Sequence, residues 1–116
     1  MNMSERNKLI DMLPSTDPDL FEKYLLLRRE LFGIQQFCHG SGRFPLTSPG
    51  RLNTAPLFCE LSRALIRDSG RFGMIVPTGI ATDSFTQAFI RDVIDSRSLV
   101  SLFSFENEEF VFPAVH

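Results

Sequence analysis

The sequence has no apolar run approaching the length that crosses a bilayer, and its first residues lack the apolar stretch of a secretory leader. A chain that stays off the membrane is therefore expected. Cysteine is scarce. Cys38 and Cys59 are the only two, at no metal-site or disulfide spacing, which predicts a reducing, cytoplasmic setting. Charge of one sign is also scarce: the net charge is -2, so no global basic field argues for nucleic acid. Cys38, His39 and Cys59 lack the paired spacing that holds a metal. His39 with Ser41 makes no hydrolytic pair, which would need an orienting acid and an oxyanion site. No internal repeat or low-complexity tract is present.

What is there suffices for one small domain. The 116 residues are 43% apolar, enough for a modest core. Basic residues are mostly arginine, the side chain suited to bidentate contacts with carboxylate or phosphate. Between residues 40 and 71 stand Arg43, Arg51, Arg63, Arg67 and Arg71, against only Glu60 and Asp68. Solvated surface arginine remains the plain alternative.

Helix signals dominate the first part. Ser4 is placed to cap a short helix running to about Met12 and stopping before Pro14. Asp17 caps a second, with Pro18 at the first helical position, where its missing N–H costs nothing. Leu20, Tyr24, Leu27, Leu31, Ile34 and Cys38 recur at alternating spacings of four and three, the stripe of a helix facing a core or a partner helix. Phe21, Leu25 and Phe32 widen that stripe toward burial on two sides. Residues 40–52 then read as a long Gly/Pro loop, and long loops are often functional.

Beyond the loop, Asn53 or Thr54 caps a third helix with Pro56 in its first turn, Leu57, Phe58, Leu61, Leu65 and Ile66 on one broad face, and Gly70 at its end. The run Phe72-Gly-Met-Ile-Val-Pro77 predicts a strand buried on both faces. Asp83 caps a fourth helix carrying Phe85, Phe89, Ile90, Val93 and Ile94. A second strand is expected over residues 99–105. Helix–strand–helix–strand is the order of an α/β domain with a parallel sheet. Two strands are too few for such a sheet, which predicts a domain cut at both ends.

The order of motifs in the latter half resembles the adenine-N6 DNA methyltransferases of restriction-modification and phage-defence systems. That family has a helix of the type Asn-Thr-x-x-Leu-Phe before a strand of the type Gly-x-x-Gly-x-Ile-Val-Pro. The matching residues are Asn53, Thr54, Leu57 and Phe58, then Gly70, Gly73, Ile75, Val76 and Pro77. The pair Ile90-Arg91 follows, then the turn Phe105-Glu-Asn-Glu-Glu-Phe110 and the pair Phe112-Pro113. Residues 41–51 are similar to long insertions in large methyltransferases. The resemblance implies an α/β fold, part of a Rossmann-like S-adenosylmethionine-dependent domain with about four helices and two or three strands. Residues 1–52 would be an insertion-like helical segment and loop, and residues 53–116 the second half of the catalytic domain.

The family's cofactor loop and its Asn-Pro-Pro-aromatic tetrapeptide have no counterpart here. Gly40-Ser41-Gly42 follows a helix rather than a strand and reads as a turn. The resemblance thus implies a fragment without catalytic or cofactor-binding residues, inactive alone, whose intact parent binds S-adenosylmethionine and DNA and flips an adenine from the duplex. On the substrate side it implies Pro77, Thr78 and Gly79 at the rim of the ligand crevice, and Phe112 as a ring against the flipped base. An ordinary turn and a core aromatic are the plain readings of those residues. Arg43 and Arg51 on the long loop are candidates for DNA phosphates. The acidic turn of Glu106, Glu108 and Glu109 reads as solvated surface.

A second function class stays open: a small non-enzymatic interaction module using its apolar stripes and an exposed sheet edge. In the family, the strand that separates this chain's two lies beyond residue 116, so an edge is expected to pair internally or with a second copy.

Overall fold

A computed structural model describes residues 2–108 and residue 111. Among them the order is five α-helices with a 3-10 turn before the last, and there is no strand. The helices are α1 (Met3–Thr16), α2 (Pro18–Gly40), α3 (Thr54–Leu65), α4 (Gly79–Thr82) and α5 (Gln87–Asp95), with the 3-10 turn at Ser84–Thr86. The expected α/β fold is therefore overturned. The chain divides into two compact units, Met1–Phe37 and Cys38–His116.

The first unit is helix set by local chemistry. Asn2, not Ser4, caps α1. Its Oδ1 accepts from the Glu5 amide at 2.9 Å, and the Glu5 carboxylate accepts from the Asn2 amide at 2.9 Å. That reciprocal box outcompetes Ser4 because Glu5 stands three residues after Asn2. Nor does Pro14 stop the helix. It sits in the last turn, where the Asp17 amide still reaches the Leu13 carbonyl and the Thr16 hydroxyl reaches the Met12 carbonyl. Asp17 caps α2 as expected, accepting from the Leu20 amide at 3.0 Å, with Pro18 as its first residue.

Burial does not follow from these helices. No described residue up to Phe37 is buried. The α2 stripe expected to face a core leaves Leu20, Leu27, Leu31 and Ile34 exposed, and only Cys38 at its end is covered.

Among the described residues the core lies in the second unit, in two small clusters. In one, Cys38, Phe44 and Leu57 pack together, flanked by Leu52 and Leu61. In the other, Cys59, Ile80, Phe89 and Val93 pack together, flanked by Leu46, Val76 and Ile90. Among the described residues no side chain falls below 2% exposure, so neither cluster closes over. Helix α3 contributes Leu57 and Leu61 to the first and Cys59 to the second, while Phe58, Leu65 and Ile66 of its expected apolar face are exposed. Asn53 caps it, accepting from the Ala55 amide at 3.0 Å. It ends at Leu65 with Ile66 as cap, short of Gly70, which instead closes a tight turn onto the Arg67 carbonyl. Arg63 of α3 is ion-paired with Asp92 of α5 and donates to the Ser96 hydroxyl at 3.0 Å.

Both expected strands are irregular. Within 71–77, Met74 lies against the Cys59 thiol and the Ser62 hydroxyl and Val76 joins the second cluster, while Ile75 between them is 83% exposed. The run thus has the two-residue alternation of an extended chain but covers one face only, because among the described residues no neighbouring strand takes up its backbone groups or its outer face. Residues 98–107 likewise lack regular structure, with their apolar side chains outward. Asp83 precedes the 3-10 turn rather than an α-helix and makes no side-chain cap.

Candidate functional site

A groove of about 660 Å³ opens on the second unit. Three pieces of chain form it: the end of the long loop with Thr47, Arg51 and Leu52, the first turn of α3, and the stretch from Pro77 to Thr86.

A buried carboxylate holds the loop wall in place. Glu60, on α3, is 7% exposed. Its two oxygens accept from the Leu46 amide at 3.1 Å, the Thr47 amide at 3.0 Å and the Thr47 hydroxyl at 2.6 Å. A carboxylate can be buried when its lone pairs are met in this way. Thr47 is thereby fixed with one side toward Glu60 and another on the groove. Gly50 supplies the bend, with φ of 78°. Its open face receives the Phe85 ring, and a Cβ there would overlap that ring. Only glycine meets both conditions at low cost.

The opposite wall depends on Thr86, which is buried. Its hydroxyl donates to the Gly79 and Asp83 carbonyls, at 2.9 and 3.0 Å, drawing the Pro77–Thr86 stretch into a compact double turn. The Asp83 carboxylate folds over Gly79, where a Cβ would sit 2.6 Å from its Oδ2. Phe85 is seated on Gly50 and remains 53% exposed, with its ring on the groove. A smaller hollow of about 310 Å³ adjoins along Ala81, Asp83, Gln87 and Ile90.

Arg51, Pro77 and Gly79, expected at the substrate side, thus line one groove although Arg51 and Pro77 are 26 positions apart in the chain. Thr78 stands beside it as the residue before α4. Its carbonyl accepts from the Ala81 amide, and it is not among the lining residues. Arg43 is exposed elsewhere on the loop, its amide bonded to the Ser41 hydroxyl at 3.1 Å. Phe112 lies outside the described residues, as does Glu109. Glu60, Asp83 and Phe85 were not singled out by sequence reasoning as groove-forming residues. A glutamate on the apolar face of a helix was the available signal for Glu60.

The groove's lining is mixed, with apolar Leu52, Pro56, Ile80 and Phe85 beside polar groups. Among the described residues that line it, Arg51 and Asp83 carry formal charge, one of each sign. No group of three or more metal-ligating side chains occurs among the described residues. Gly40-Ser41-Gly42 lies at the C-terminal end of α2, where carbonyls rather than N–H groups face outward, the wrong end for the carboxylate of S-adenosylmethionine. Of the two thiols, Cys59 has its pKa raised by burial, which disfavours the thiolate and its nucleophilic chemistry. No helix among the described residues is long and apolar enough to cross a membrane. Comparison with protein-family models, with curated proteins and with solved structures found no match in any of the three.

Proposed function

We propose that this chain is part of an adenine-N6 DNA methyltransferase of a restriction-modification or phage-defence system, contributing to the target-base and DNA side and inactive alone. The motif order from Asn53 to Pro113 supports that reading. The observation that carries it is the groove, which brings Arg51 together with Pro77 and Gly79 beside a half-exposed phenylalanine ring. A guanidinium, an aromatic face and a carboxylate suit the phosphate, the base face and the exocyclic amine of an adenine nucleotide. Arg51 meets the phosphate, Phe85 takes the base face, and Asp83 accepts from an exocyclic amine. S-adenosylmethionine and the methyl-transfer residues belong to the remainder of the parent, together with most of the DNA contacts.

The test is to titrate the chain with a short adenine-containing single strand while following backbone amide resonances. Shifts confined to Thr47–Ala55 and Pro77–Thr86, weakened about tenfold by Phe85→Ala given the usual worth of one stacked base, support the reading. No shifts, or shifts indifferent to both Phe85→Ala and Arg51→Ala, would sink it. Methyl transfer to adenine by the parent reading frame is the decisive complement.

A second reading, a non-enzymatic interaction module, rests on the exposed apolar stripe of α2. It predicts that the chain is captured by a helical partner and ignores nucleotides.

A further inference from the structure

The segment after α5 has a symmetry that its surroundings do not explain. Arg97, with φ of 53°, turns the chain out of the helix. There follow Ser98-Leu99-Val100-Ser101-Leu102-Phe103-Ser104. Read from either end, this is serine, two apolar residues, serine, two apolar residues, serine. It holds no charge, glycine or proline, and its apolar members are uncovered: Val100 is 71% and Phe103 75% exposed.

A sequence that reads alike in both directions complements itself when a second copy runs antiparallel to it. We infer that residues 98–104 form a two-stranded antiparallel interface with a second copy of this chain, centred on Ser101 facing Ser101. A two-fold axis through that point sets Val100 opposite Leu102, Leu99 opposite Phe103, and Ser98 opposite Ser104 of the second copy. Each residue then meets its own kind, as a closed two-fold interface requires.

The backbone selects the phase. In an antiparallel pair, successive residues alternate between exchanging hydrogen bonds with the partner strand and pointing them away. The Ser98 amide already donates to the Val93 carbonyl at 3.1 Å. It must therefore be an outward-pointing residue. That makes Leu99, Ser101 and Phe103 the bonding positions, and Ser101 pairs with its own counterpart. Parallel, in-register stacking is disfavoured, because it would set Arg97 against Arg97 and Glu106 against Glu106. This interface does not depend on the methyltransferase reading.

The test uses the full chain and two single-charge variants, Ser101→Glu and Ser101→Lys, at an exposed position. Sedimentation velocity over a concentration series should show wild type passing from monomer to dimer. Either variant alone should dimerise more weakly, by on the order of tenfold or more, because two like charges meet on the axis. Mixing the two variants should restore the dimer, since Glu then faces Lys. Circular dichroism of each variant checks that its helices are intact. A wild type that stays monomeric throughout overturns the inference. So do variants that dimerise as well as wild type, a mixture that recovers nothing, or open-ended fibres in place of a dimer.

Discussion

The two units have similar local chemistry and opposite fates. In Met1–Phe37 the helices are well capped, yet every described side chain is at least partly open to solvent. In Cys38–His116 the helices are shorter, and two small clusters with a buried carboxylate hold a loop against them. Helix formation and burial are separate accomplishments. The first depends on residues three and four apart, the second on partners far along the chain or outside it.

The sharpest way to break the contrast is Glu60→Ala. It would orphan the Leu46 and Thr47 amides and the Thr47 hydroxyl, at roughly 1–3 kcal/mol for each buried group. A loss of at least about 3 kcal/mol is expected in urea unfolding, along with release of the amide protection of residues 46 and 47. A change below about 0.5 kcal/mol would show that the carboxylate does not organise the loop. Gly50→Ala comes next. A side chain there is strained at positive φ and displaces Phe85, for an expected cost of about 1–3 kcal/mol. The nucleotide binding proposed for the groove should fall with it.

Asn2→Ala sharpens the contrast from the other side. It should cost α1 about 1 kcal/mol of local stability, read as faster amide exchange from Met3 to Leu9. The melting of the second unit should not move. If it does, the two units are energetically coupled.

The smallest effect concerns Cys59. Its folded pKa lies above the ordinary thiol value. The stability linked to this group is therefore fully present below that value and is lost as pH rises through the raised one. Alkylation of the native chain should be slow at neutral pH, and unfolding in urea should expose the thiol. Rapid labelling at pH 7 would contradict its burial.

Much of the helical part was legible. Asp17 with Pro18, and Asn53 with Pro56, announced the starts of α2 and α3, because a cap is a contact between a side chain and an amide two or three residues on. Ser4 failed because Asn2 had the better-placed Glu5. Gly70 failed because a glycine can close a turn beyond a helix as readily as end one. The groove was half legible. Arg51, Pro77 and Gly79 stand out separately in the sequence, on loop position and resemblance, and nothing local says that they share a wall.

By itself, then, the sequence determined where α2 and α3 begin and which residues are apolar, since a cap and the amide it meets lie two or three residues apart. Only the tertiary structure decided what those residues do. An apolar run such as 72–77 is a strand only if another strand bonds to its amides, and among the described residues none does. Glu60 is a buried organiser only because Leu46 and Thr47, more than a dozen residues away, turn their donors toward it. Hydrogen bonds of that reach depend on where the whole chain has gone, and a local pattern carries no record of it.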